Sequence, residues 1–267
     1  YDKAKDFFLF NDTDDRKFTI EEYEKLVKDN QKDKNGDIIY LYANNKDEQY
    51  SFIEAAKNKG YNVLLMNGQL DVAMISMFEQ KLTKTRFTRV DGDSVENLIV
   101  KEDKKVDSLE ADKQEELSSA FKSQLPKIDK ADFNIGIQAL GENTSPIMIT
   151  QSEYMRRMKE MANIQQGMSF YGEMPDMFNV ILNSDHKLIK IILEDEEKTC
   201  KEATSPIQTE MNDVDKQRSE LRKNHEGKKD EEIPTTEKDQ LKELDNHYSE
   251  LKKKKEGIYG DYAGTNK

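Results

Sequence analysis

The side chains best suited to nucleophilic, acid–base or metal chemistry are few in this chain and poorly spaced for it. Histidine occurs three times and cysteine once in 267 residues. His186 falls at a helix start, and His225 and His247 lie on highly charged arms, with no serine or cysteine nucleophile arranged beside them for activation. All three are expected at the surface. Cys200, being single, excludes an internal disulfide framework and a cysteine-rich zinc site, and suits a reducing compartment. Asp33, Asn35, Gly36 and Asp37 suggest a calcium loop, but the glycine has the wrong offset and Asn44 stands where the bidentate glutamate belongs. A turn is expected there. Neither a Gly-x-x-x-x-Gly-Lys loop, nor a Gly-x-Gly-x-x-Gly turn, nor a His-Glu-x-x-His helix is present. The sequence therefore offers no catalytic residue and no metal ligand set.

What it offers instead is methionine. Seven of its eleven methionines lie between Met148 and Met177, and Met155, Met158 and Met161 recur every third residue, a series that Ile164 continues. Thr150 and Glu153 read as a capping box opening a helix at Gln151, which runs to about Gln166 and stops at Gly167. Arg156, Arg157, Lys159, Glu160 and Asn163 lie opposite the methionines, so the helix is amphipathic with a soft apolar face. Such a face packs a core, or it accepts varied apolar partners because methionine is flexible and polarizable. Both readings stand on sequence alone. The helix expected over 70–82 raises the same question, since Val72, Ala73, Met74, Ile75, Met77 and Phe78 leave hardly any polar side.

The elements that must position these faces follow from periodicity. Residues 37–43 read as a buried strand, 47–59 as a helix stopped by Gly60, 61–66 as a second strand and 86–90 as a third, before a short helix opening at Asp93 or Ser94. This is a small three-layer α/β lobe. Residues 101–113, rich in Lys, Asp and Glu, read as a solvated connector, placing a domain boundary near 105. Beyond it come a helix over 114–125, strands over 132–140 and 146–150, the methionine helix, a strand over 178–182 and a helix capped by Ser184 or Asp185 that runs to Leu193. That second domain, 106–267, is α+β. From 194 onward only 15 of 74 residues are apolar. Ser205 and Pro206 read as a helix start, Ile207, Met211, Val214 and Leu221 fall at heptad-like spacing, and Leu241, Leu244, Tyr248 and Leu251 make a matching stripe. A protruding antiparallel helical hairpin over about 200–256 is expected.

A net charge of −12 excludes an ordinary basic nucleic-acid binder, and 36% charged residues make a soluble chain. No apolar run is long enough to span a bilayer and no leader precedes Tyr1, so a cytoplasmic protein without membrane contact is expected. The chain opens in mid-pattern at Phe7–Phe10 and trails off from Gly257, as a piece of a longer protein would.

Several segments resemble the heat-shock protein 90 chaperones. Residues 60–71, Gly-Tyr-Asn-Val-Leu-Leu-Met-Asn-Gly-Gln-Leu-Asp, look like the family's turn, strand and helix; 87–98 resemble the strand and helix closing its middle domain. Residues 154–162 and 179–188, with Leu-Asn-Ser-Asp-His at the centre of the latter, resemble its carboxy-terminal domain, with Ser184 replacing a proline. The resemblance spans about 1–193 and implies the end of the middle domain followed by the carboxy-terminal domain. It implies an ATP-dependent parent with a nucleotide domain upstream using ATP and magnesium, and apolar dimerisation helices downstream; this stretch would hold neither cofactor nor activity. It further implies contact with partly unfolded client proteins through Val72, Ala73 and Ser76 on one helix and Tyr154, Met158, Met161 and Ala162 on another. Ala73 stands where some bacterial relatives carry tryptophan. The 200–256 hairpin has no counterpart in the shorter family members. Two other readings compete: a scaffolding module recruiting a fixed partner through the hairpin, and an α/β enzyme using the crevice at the carboxyl ends of the 38–90 strands.

Overall fold

The computed structural model describes residues 8–68, 71–101, 109–164, 174–225, 227 and 233–265. The chain divides into two compact units, one formed by Tyr1–Val106, Lys127–Gly136 and Ile147–Ile181, the other by Asp107–Pro126, Ile137–Pro146 and Leu182–Lys267. The architecture is mixed α/β, with small sheets and helices.

In the first unit, β1 (Phe10–Asn11) pairs antiparallel with β2 (Lys17–Phe18), and β3 (Ile38–Ala43) is the middle strand of a three-stranded sheet, parallel to β4 (Val63–Leu65) and to β5 (Thr85–Arg89). Its Ile-Ile-Tyr-Leu-Tyr-Ala run is continuous because a central parallel strand is covered on both faces. Alternation then sorts the side chains. Tyr40 and Tyr42 enter a cluster with Phe10, Tyr23, Phe78 and Phe87, whereas Ile39, Leu41 and Ala43 enter another with Ile53, Ala56, Val63, Val95 and Leu98. The first cluster is supplied by α3 (Asp71–Lys81) and by α1 (Ile20–Val27), the second by α2 (Tyr50–Asn58) and α4 (Val95–Leu98). Gly60 closes the α2 turn at φ 76°, a conformation only glycine adopts without strain.

Helix α1 has no forerunner in the sequence reading, although its signal is local. Thr19 Oγ1 accepts from Glu22 N while the Glu22 carboxylate accepts from Thr19 N at 2.8 Å, a complete capping box. Thr19→Ala is expected to cost about 1 kcal/mol, read as a lowered urea midpoint with an unchanged slope. The 33–37 segment is a turn, as its composition predicts: Asp33 Oδ1 accepts from Asn35 N and Asp37 N, and Gly36 has φ 88°.

A second sheet has the order β6–β8–β7, formed by Ala131–Gln138, Asp176–Asn183 and Ile147–Gln151 respectively. Here the capping-box reading is overturned. Thr150 and Gln151 belong to β7, and α6 begins at Glu153 and runs to Ile164. The Glu153 carboxylate is drawn away from the helix terminus by two guanidiniums and a phenol, described below. The end placed at Gln166 and Gly167 lies outside the described residues.

In the second unit, α5 (Ala111–Gln124) packs with two long helices, α7 (Lys187–His225) and α8 (Thr235–Thr265). The helix start at Pro206 is overturned too, because α7 runs unbroken from Lys187 with Pro206 inside it. An internal proline costs about 3 kcal/mol. Burial on both flanks offsets it: Cys200 packs with Ala120, Tyr259 and Tyr262 before the proline, and Met211 and Val214 pack with Leu251 after it. Residues of α7 meet α8 in reverse order, through Asp195–Tyr262, Gln208–Lys255, Glu210–His247, Arg218–Asp245 and His225–Glu237. Nor does the chain trail off after Gly257, since α8 continues to Thr265. Gly260 suits that helix for a steric reason: a Cβ there would stand 3.2 Å from the Ser123 Cβ on α5. Among the described residues, no helix is long and apolar enough to cross a membrane, and no group of three or more His, Cys, Asp or Glu could hold a metal.

Candidate functional site

The two helices singled out by their apolar faces, α3 and α6, belong to the same compact unit, where a polar clamp built on α6 joins them. At about 100° per residue, Glu153, Arg156 and Arg157 share one side of α6, while Tyr154, Met158 and Met161 share another roughly a third of a turn away. The charged side is the one that docks. Arg156 is 6% exposed and its guanidinium lies 5.9 Å from the centre of the Tyr42 ring. Charged side chains are buried only when paired, and these are. Glu153 Oε1 accepts from Tyr42 O–H at 2.9 Å, from Arg156 Nη2 at 2.9 Å and from Arg157 Nε at 2.6 Å. Arg157 then reaches α3 and β5, donating from Nη1 to Glu79 Oε2 at 2.8 Å and from Nη2 to the Phe87 carbonyl at 2.6 Å. Glu79 completes the bridge by accepting from Phe87 N at 2.8 Å.

The electrostatics agree with the geometry. Burial opposes ionisation of Glu153, yet the charges of Arg156 and Arg157 hold its carboxyl below the ordinary value. Burial and the Glu153 charge push the Tyr42 phenol up, so it remains a donor. The clamp fixes α6 by its basic side and thereby decides what the adjoining apolar side presents.

Tyr154 is 69% exposed, the largest value for a large apolar side chain among the described residues, and Met158 and Ala162 are half-buried. On α3, Ser76 is half-buried, with Ile75 and Phe78 turned into the core. The side chains of Val72, Ala73 and Met161 lie outside the described residues. The expectation of a single continuous methionine face is corrected in one respect: steps of three residues drift about 60° backwards per step, so Met155 lies well around the helix from Met161. It stands nearer Lys159, which pairs with Asp176 at 2.7 Å.

A cavity of about 160 Å³ lies where the enzyme reading put its crevice, lined by Tyr42, Asn44, Met66, Asn67, Gly68, Asp71, Ile75 and Arg156. Asp71 Oδ2 accepts from Gly68 N at 2.7 Å at the mouth of α3. A nucleotide phosphate would meet a carboxylate at the very helix terminus that ordinarily attracts it, so these residues do not fit ATP. His225 and His247 pair with Glu237 and Glu210 across α7 and α8.

The clamp itself was missed from sequence. Its one local trace is the spacing of Glu153, Arg156 and Arg157, three and four apart; Tyr42 and Glu79 are too distant in the chain to be connected by any pattern.

A family model described as Hsp90 protein matches residues 2–211. The chain is 70% identical over its whole length to the chaperone protein HtpG of Bacteroides fragilis, and 67% identical over its whole length to that of Bacteroides thetaiotaomicron. The HtpG of Porphyromonas gingivalis is 43% identical over 239 residues, 90% of this chain and 35% of its own. The chain spans 39% of the length of the Bacteroides relatives. On a family match covering most of its residues and identity extending through all of them, the chain belongs to the Hsp90 family.

Proposed function

We propose that this chain is the client-holding part of an HtpG-type molecular chaperone. The observation that carries the reading is the clamp on α6. It uses up the basic side of the helix on Tyr42, Glu79 and Phe87, and it leaves Tyr154 outermost with Met158 one turn on. A soft apolar stripe on a rigidly seated helix suits transient contact with many partly unfolded chains, because methionine and tyrosine adapt to varied apolar partners without a preformed pocket. Val72, Ala73 and Ser76 on α3, with Met161 and Ala162 on α6, complete the proposed surface. In this reading residues 1–105 end the middle domain and 106–267 form the carboxy-terminal domain. The 200–256 region is a helical hairpin inserted into that domain, and the whole protein is a cytoplasmic, homodimeric ATPase of the stress response.

Tyr154→Ser combined with Met158→Ser tests the surface. Binding of a partly unfolded protein to the chain is expected to weaken about tenfold or more while the melting temperature stays within about two degrees. A buried methionine cut to a small residue costs about 2–5 kcal/mol. A large drop in melting temperature with binding unchanged would therefore return the stripe to the core and withdraw the assignment. The chain by itself should give no saturable heat of ATP–magnesium binding in a calorimetric titration. Micromolar binding would overturn the placing of the nucleotide site outside it.

A further inference from the structure

The second unit buries a carboxylate that nothing in the proposed function uses. Glu196 on α7 is 0% exposed, and neither of its oxygens has a hydrogen-bond partner among the described residues. It lies where α5, α7 and α8 meet, on the same side of α7 as Cys200 and Thr204, which follow at four-residue steps. The donors around it are committed elsewhere. From α8, Tyr259 O–H donates to Glu116 Oε1 at 2.8 Å and Tyr262 O–H to Asp195 Oδ2 at 2.7 Å. Lys255, itself buried, donates to Gln208 Oε1 at 2.7 Å and stands 3.8 Å from Glu116. Lys252 pairs with Glu115 at 2.6 Å. The charge that acts on Glu196 is thus that of Glu116 on α5, while the buried Lys255 ammonium is turned to Gln208 and Glu116.

An ionised carboxylate with no partner cannot be held in such a place without cost; a neutral carboxylic acid can. We infer that Glu196 is a proton-operated latch: protonated, it lets α5 seat on α7 and α8, and ionised, it loosens that seat. Burial, with the like charge of Glu116 added, raises its carboxyl to about 7, so the change falls within the physiological range. Burial also pushes the neighbouring Cys200 thiol up to about 11, so Cys200 remains protonated throughout and does not share the titration. The sign follows from linkage. The seated form binds the proton more tightly than an opened one, in which the carboxyl returns toward 4.5, so seating weakens as pH rises from about 4.5 to about 7 and is constant above that.

Amide hydrogen exchange of α5 in the intact chain, corrected for base catalysis, tests the latch. One proton released on opening predicts that protection falls about tenfold per pH unit between pH 5 and 7. Glu196→Gln, which keeps the shape of the protonated acid, is expected to abolish that slope. Glu116→Gln removes the like charge and is expected to move its upper limit to lower pH. A slope that persists in Glu196→Gln, or a profile that Glu116→Gln leaves unmoved, would overturn the latch.

Discussion

Arg156→Ala is expected to lower the unfolding free energy of the chain by about 3 kcal/mol or more, the range for removing one partner of a buried ion pair. The side chain of Arg156 is 7% exposed, and its loss leaves Tyr42 and Glu153 facing each other with one guanidinium fewer. Arg156→Lys should recover only part of the loss, because an ammonium offers no planar fork and does not stack on the Tyr42 ring. The measurement is urea denaturation, paired with exchange of the β3 and α6 amides, which should open together. The clamp also has a pH signature opposite to that of Glu196. Glu153 is held below its ordinary value, so its contribution is present above about 4.5 and is lost as pH falls below that. Acid should therefore release α6 while α5 stays seated. Simultaneous release of both would mean that neither carboxylate acts locally.

Phe10→Ala is expected to cost about 3–5 kcal/mol, the range for emptying a buried aromatic site. Phe10 is 2% exposed, and its ring centre lies between 5.1 and 6.1 Å from those of Phe8, Tyr23, Tyr40, Phe78 and Phe87. Those rings come from β3, β5, α1 and α3 as well as from the residues around Phe10, so one cavity would weaken contacts with all of them. Phe10→Leu should cost clearly less, since a leucine refills part of the volume. Equal losses for leucine and alanine in denaturant titrations would show that ring geometry, and not filled volume, is what the cluster requires. Because α3 contributes Phe78 to this cluster and Glu79 to the clamp, Phe10→Ala should also weaken binding of a partly unfolded protein, an effect absent from Thr19→Ala.

The sequence by itself determined the elements whose signal is local. The Ile38–Ala43 run could only be a doubly covered strand, Gly60 could only end a helix in the left-handed region, and the turn at Asp33 followed from its side chain bonding to its own backbone. It also carried the family, through segments such as 60–71 and 182–186. Local patterns failed where two local rules competed or where the partner was far away. Thr150 and Glu153 satisfied the capping-box rule, but a carboxylate gains more from two guanidiniums and a phenol than from one backbone N–H, and Tyr42 lies 111 residues upstream. Pro206 is a helix start by local preference, yet burial on both its flanks, against α5 and α8, keeps α7 unbroken. The same reason inverts α6. Amphipathicity records which residues are charged, not which side docks, and only the tertiary structure, by surrounding Arg156 and Arg157 with Tyr42, Glu79 and the Phe87 carbonyl, made the charged side the anchored one, with Arg156 buried. Glu196 has no sequence signature at all, because a glutamate in a run of acids looks solvated until three helices close over it.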